Sequence, residues 1–108
     1  MITVIEQWFL RAEFVSRGTE IMQEMDDIVG PNAHDDPAWS GHATFFHSRV
    51  IGNKFLMIYP WRSVEDHEQL RAREEPLLKD FVERYCERDR EVSYYDVLDV
   101  DVDHDHDE

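Results

Sequence analysis

Apolar residues follow two rhythms along this chain. Ile2, Val4, Ile5, Trp8, Phe9 and Leu10 dominate residues 2–11, and their β-branched and aromatic character predicts a strand with both faces largely covered. From about Ser16 to Val29 the spacing becomes helical, with Ile21, Met22, Met25, Ile28 and Val29 on one stripe and Gly30-Pro31 as the expected stop. Gly30 to Gly41 has the composition of a loop, longer than most connections in compact domains. Residues 42–51 and 54–61 read as two strands around Gly52-Asn53, a dipeptide suited to a two-residue hairpin turn.

Side chains alternate along a strand, so Phe55, Met57, Tyr59 and Trp61 share one side of the sheet. The two-residue turn sets Thr44 opposite Trp61, Phe46 opposite Tyr59 and Ser48 opposite Met57. Phe46 and His42 then join the aromatic face, with His47 and Arg49 on the opposite one. A turn one residue longer would exchange the two histidines.

Ser63, with Asp66 three residues later, predicts a helix start related to the capping box. Proline is rejected from a helix interior but tolerated in a first turn, so Pro76 is expected to split the following region into helices at about 64–74 and 76–88. Leu77, Leu78, Phe81, Val82 and Tyr85 form the apolar stripe of the latter. Val92, Tyr94, Leu98, Val100 and Val102 mark a last strand over residues 91–102. Residues 103–108, an acidic end with His104 and His106, read as a polar tail beyond a single domain of residues 1–102.

The order β-α-β-β-α-β predicts an α+β, ferredoxin-like fold: two split βαβ units forming a four-stranded antiparallel sheet with helices on one face. Phe45, Leu56 and Ile58 behind the aromatic face need a second cover, and another copy of the same sheet would supply it.

Composition narrows the partners. A net charge of −14 disfavours nucleic acid and anionic membranes, because phosphates would be repelled. The basic residues alternate with acids, as in Arg71-Ala-Arg73-Glu74-Glu75 and Glu87-Arg88-Asp89-Arg90-Glu91, which reads as a solvated helix face. One cysteine, Cys86, excludes an intrachain disulfide. The apolar start Met1–Ile5 is interrupted by Glu6 and lacks a basic leader, so neither a signal peptide nor a membrane span is expected there. The simplest expectation is a soluble, cytoplasmic protein.

His67 lies three residues from both Val64 and Leu70, which turns it toward the sheet as a candidate acid or base with a pKa near neutrality. Trp61, Tyr59, Met57 and Phe46 form an apolar wall suited to a planar ligand, with Trp39 on the preceding loop. Six histidines among 25 acids raise the question of a metal. His34-Asp35-Asp36, His42, His47, His67 and His104-x-His106 are the relevant groups, but their spacing matches no common ligand motif and no metal is assigned. No phosphate loop, nucleophile elbow or dinucleotide fingerprint occurs.

His47-Ser48 before the hairpin, Tyr59-Pro60-Trp61-Arg62-Ser63 at the strand end, and Tyr94-Tyr95-Asp96-Val97 in the last strand carry a resemblance over residues 2 to about 102. The chain resembles the dimeric α+β barrel superfamily and, within it, the antibiotic biosynthesis monooxygenase-like family. The resemblance implies a homodimer with one small-molecule cavity per subunit between sheet and helices. Some members are cofactor-free oxygenases that turn an anthrone-like phenol into a quinone; others degrade haem, cyclise polyketides or act on lactones. Where the oxygenase pattern carries an asparagine and a tyrosine around Trp61, this chain has Met57 and His67, and methionine cannot hold an oxyanion by hydrogen bonding.

The expectation is therefore an enzyme without an organic cofactor, acting on an aromatic or polyketide-like substrate. His67, with His42 or His47, would move protons, and Trp61, Tyr59, Met57, Phe46 and Trp39 would bind the substrate. The alternative is a non-catalytic ligand- or metal-binding protein using the same cavity.

Overall fold

The computed structural model describes residues 1–103, and the tail histidines His104 and His106 lie outside the described residues. Its elements are β1 (Ile2–Phe9), a short 3-10 segment (Ala12–Arg17), α1 (Gly18–His34), β2 (Thr44–His47), β3 (Lys54–Trp61), α2 (Val64–Tyr85) and β4 (Glu91–Tyr95). The antiparallel sheet has the order β2-β3-β1-β4, the arrangement expected of two split βαβ units. α1 and α2 cover one face. Val4, Trp8, Ile21, Met25, Leu70, Phe81 and Tyr85 lie in the core between them. No helix among the described residues is long and apolar enough to cross a membrane.

Both prolines expected to stop helices lie inside them. α1 continues through Gly30-Pro31 to His34, and Asp35 closes it by donating its N–H to the Pro31 carbonyl at 3.2 Å. α2 is one helix rather than two, running from the Ser63 cap past Pro76 to Tyr85. Its buried positions His67, Leu70, Glu74, Leu78, Phe81 and Tyr85 form a single stripe on both sides of the proline. Burying four apolar side chains at about 1.5–3 kcal/mol each outweighs the roughly 3 kcal/mol cost of an interior proline. Leu77 falls off that stripe and is largely exposed.

The hairpin also differs from expectation. Thr44 lies opposite Ile58, Phe45 opposite Met57, Phe46 opposite Leu56 and His47 opposite Phe55. Residues 48–53 form the connection, because the Ser48 hydroxyl accepts the N–H groups of Val50 at 3.2 Å and Ile51 at 2.9 Å and holds a turn where a strand was expected. The offset is odd, so it exchanges the faces of β2. Phe45 and His47 point toward the helices, whereas Phe46 lies on the open face. β4 is shorter than expected: its ladder ends with Tyr95 opposite Thr3, and Val97, Leu98, Val100 and Val102 are exposed.

One close approach locks α1 to the sheet. A Cβ on Gly18 would sit 2.3 Å from the ring of Phe55, which is itself buried. Gly18→Ala is expected to lower stability by about 1–3 kcal/mol through overpacking, seen as an earlier urea midpoint. An unchanged midpoint would show that the ring moves aside freely.

Candidate active site

Alternation in β1 carries Val4, Glu6 and Trp8 to the helix-covered face, and the same rule in β3 brings Phe55, Met57, Tyr59 and Trp61 there. Glu6 is thus a carboxylate in the middle of a core strand, 1% exposed. β4 pairs Tyr94 with Val4, which puts its phenol on the same side, and Arg90 enters from just before that strand. α2 contributes His67 and Glu74, two turns apart on its buried stripe.

These groups form a connected network. Tyr59 Oη donates to Glu6 Oε2 at 2.5 Å and lies 2.5 Å from His67 Nε2, while His67 Nδ1 is 2.9 Å from Tyr94 Oη. Tyr59 has one proton and gives it to Glu6, so His67 Nε2–H donates to the Tyr59 oxygen and Nδ1 accepts from Tyr94. The polarity runs one way, from Tyr94 through neutral His67 and Tyr59 to Glu6. Glu6 Oε1 also accepts from Trp8 Nε1 at 3.1 Å and Arg90 Nη1 at 3.0 Å. Arg90 Nη1 lies 3.1 Å from Glu74 Oε1, but that contact lacks the alignment of a hydrogen bond.

Burial sets the protonation states. It lowers the His67 pKa to about 4, Glu6 only partly opposing this, so the ring is neutral near pH 7. Burial, reinforced by Glu6, pushes the Tyr59 phenol well above its usual value. Burial raises Glu74 to about 7 against the pull of Arg90. Burial also works against the Arg90 charge, but Glu6 and Glu74 outweigh it and keep the guanidinium protonated.

A cavity of about 130 Å³ opens beside this network, between the sheet and the C-terminal half of α1. Met57, Tyr59, Trp61 and Glu74 line its inner part, and Trp39 with His42 lines the loop side. Trp39 is held there by a bridge to Trp61, next to the hydrogen bond from Arg62 N–H to the Ala38 carbonyl at 3.1 Å. His34 completes an edge-to-face trio with Trp39 and His42, at 5.3 and 5.4 Å between ring centres. The Trp61 indole N–H is buried without a partner among the described residues.

Of the expected site residues, Tyr59, Trp61, Met57, Trp39 and His42 therefore meet at one cavity. His67 is fully buried and reaches it only through Tyr59, and its pKa lies well below the neutral value expected of it. His47 and Phe46 do not belong to this site. His47 stacks on Phe55 at 4.2 Å and its Nε2 bonds the Gly52 carbonyl at 2.7 Å, and both residues line a separate hollow of about 250 Å³ against α1. The hairpin offset turns Phe46 to the open face, whereas His47, on the helix side, lies opposite Phe55 at the end of β3 away from Tyr59 and Trp61.

Glu6, Glu74, Arg90 and Tyr94 were not expected at the site, and Glu74 and Arg90 overturn the reading of their segments as wholly solvated. A signal existed for two of them. Glu6 alternates with Val4 and Trp8, and Glu74 lies four residues from both Leu70 and Leu78. Among the described residues, no group of three or more His, Cys, Asp or Glu is arranged to hold a metal ion.

No protein-family model and no curated protein matches the chain. Solved structures do. A crystal structure of an antibiotic biosynthesis monooxygenase is 18% identical with a TM-score of 0.64, covering 91% of this chain and 99% of its own. A Bordetella bronchiseptica protein ascribed to the same group is 13% identical with a TM-score of 0.69, covering 90% and 96% respectively. SnoaB, a cofactor-independent oxygenase from Streptomyces nogalater, is 10% identical with a TM-score of 0.61 over 94% of this chain and 95% of its own. The chain thus has the ferredoxin-like α+β fold of the antibiotic biosynthesis monooxygenase-like proteins.

Proposed function

We propose that this protein is a small-molecule enzyme of the monooxygenase-like group, acting on a single-ring aromatic compound in the cavity beside Tyr59. The observation that carries the reading is Tyr59: it lines an aromatic-walled cavity, and its hydroxyl is held by both Glu6 and His67. A phenol fixed by two partners meets a substrate in a preset orientation, and such preorganisation is what a catalytic group needs.

Size narrows the substrate class. A closed apolar cavity of roughly 150 Å³ accommodates benzene, whereas sites for drug-sized ligands begin at about 300 Å³. The cavity here, about 130 Å³, suits one ring better than a fused polyketide. Trp61 and Trp39 would contact that ring, and His42 would meet its polar edge at the loop side. The cofactor-independent chemistry of SnoaB supports oxidation of an electron-rich phenol or enol by dioxygen. The step that side chains can supply is removal of a proton from the substrate. In this scheme neutral His67 is a positioning residue, because it acts on the substrate only through Tyr59.

The test is oxygen uptake with hydroquinone and related single-ring phenols. Tyr59→Phe, which removes the oriented hydroxyl against which the substrate is positioned, is expected to lower turnover by about 100-fold, and to cost about 1–3 kcal/mol of stability by leaving Glu6 and His67 short of a partner. A Tyr59→Phe protein with unchanged turnover on a substrate of the wild type would overturn the assignment.

The open face of the sheet supports a homodimer. Ile5, Leu56 and Ile58 lie there with Phe46 and Tyr95, the latter two 47% and 54% exposed. A second copy would cover this surface and the exposed Val97, Leu98 and Val100. Sedimentation velocity at micromolar concentration should show a dimer that Leu56→Glu dissociates; a wild-type monomer would contradict it.

A further inference from the structure

If the cavity binds a phenol, some group must take its proton. We infer that Glu74 is that group: its carboxylate accepts the proton of the substrate hydroxyl while the Trp61 indole N–H holds the resulting oxyanion or a neighbouring oxygen. The inference rests on the cavity reading above but concerns a residue which that reading leaves without a role.

The argument begins with the two buried carboxylates that share one guanidinium. Glu6 accepts from Trp8, Tyr59 and Arg90, so its lone pairs are committed. Among the described residues Glu74 has the poorly aligned ion pair with Arg90 at 3.1 Å, and the same Arg90 Nη1 donates to Glu6. Of the pair, Glu74 is the one left to accept a proton. Its position agrees, because Glu74 and Trp61 line the same cavity. Glu74 Oε1 is a buried acceptor and Trp61 Nε1–H a buried donor, and neither has a hydrogen-bond partner among the described residues; Arg90 Nε and Nη2 are likewise unpartnered, but Arg90 does not line the cavity. Buried polar groups are nearly always paired, so an unpaired indole donor and an under-bonded carboxylate on two residues that line one small space point to a ligand carrying the complementary groups.

The alternatives fit less well. Tyr59 Oη already donates to Glu6 and accepts from His67, and His67 is sealed behind it. In the proposed step the substrate O–H bond breaks and an O–H bond forms on Glu74. Two carboxylates against one guanidinium become one against one, and the negative charge passes to the substrate oxygen. The charged and titratable groups around Glu74 are Arg90 before β4, Glu6 on β1, Tyr59 on β3 and Arg73 on α2 itself. Asp26 and His34 of α1 and His42 of the loop share its cavity.

Binding of para-nitrophenol, a chromophore whose spectrum separates phenol from phenolate, provides the test. With one proton shared between ligand and Glu74, wild-type affinity should peak near pH 7 and fall about threefold one unit to either side, with proton release on the acid side and uptake on the alkaline side. Glu74→Gln should lose the peak and keep only the one-sided dependence of the phenol's own ionisation. A wild-type profile without a peak, or a peak that survives in Glu74→Gln, would overturn the role of Glu74 while leaving the cavity reading intact. No binding to the wild type would overturn the cavity reading, and the role of Glu74 with it. Carbon-13 NMR of labelled glutamates in the wild type needs no variant: a carboxyl titrating near neutrality and displaced by the phenol is expected, and its absence refutes the proposal.

Discussion

Replacing Arg90 by leucine is expected to destabilise the protein by about 3–5 kcal/mol at neutral pH. The guanidinium bridges both buried carboxylates, 3.0 Å from Glu6 and 3.1 Å from Glu74. Its removal leaves Glu6 and Glu74 in the core without their cationic partner. A loss of that size is a large part of the 5–15 kcal/mol that holds a typical domain together. The defect should shrink as pH falls, because Glu74, already raised to about 7, becomes easier still to protonate once Arg90 no longer lowers it. Adding Glu6→Gln and Glu74→Gln to Arg90→Leu should restore much of the loss, since a buried ionic group is costly chiefly when half of it is left. Urea unfolding at several pH values reads all three expectations. A single variant within 1 kcal/mol of the wild type would mean that water, not Arg90, screens the carboxylates.

Glu74→Gln should change how stability depends on pH. The folded-state pKa of Glu74 is raised from 4.5 to about 7. Between those values the folded protein holds a proton that the unfolded chain has released, so stability falls as pH rises through this window, by about 3 kcal/mol in all. His67 acts in the opposite sense. Its pKa drops from 6.5 to about 4, so the unfolded chain binds the extra proton and stability rises with pH across an overlapping range. The two contributions largely cancel in the wild type. Glu74→Gln removes one of them, and stability relative to wild type should therefore grow by about 3 kcal/mol from pH 4.5 to pH 7. A difference that stays constant with pH would show that Glu74 titrates normally in the folded protein.

Much of the fold was legible because short-range rules decide it. Strand alternation from Phe55 to Trp61, the helical spacing of Ile21, Met22 and Met25, and the Ser63 cap each depend on residues close in the chain. The errors have one origin. Gly30-Pro31 and Pro76 are helix breakers by local preference, yet core burial on both sides carried α1 and α2 through them. The Gly52-Asn53 turn was chosen as the shortest local solution, and the Ser48 hydroxyl stabilises a longer one that reverses the faces of Phe45, Phe46 and His47.

The site was legible in its aromatic half. Tyr59, Trp61 and Met57 share a strand, so periodicity alone brings them together. The charged half draws on β1, α2 and the approach to β4, with Glu6 and Arg90 separated by 84 positions. Arg90 sits in a run of alternating charges that looks like any solvated segment. Only its place at the mouth of β4, opposite Glu6 and Glu74, makes it a core residue.

By itself, then, the sequence determined the α+β order, the aromatic wall and the direction of His67, because each follows from a period of two or of three to four residues. Tertiary structure decided which histidine meets which partner, that one guanidinium faces two carboxylates, and that Glu74 is the less satisfied of the two. Those outcomes depend on distances between residues far apart in the chain and on the exclusion of water around them, and neither quantity is written in local spacing.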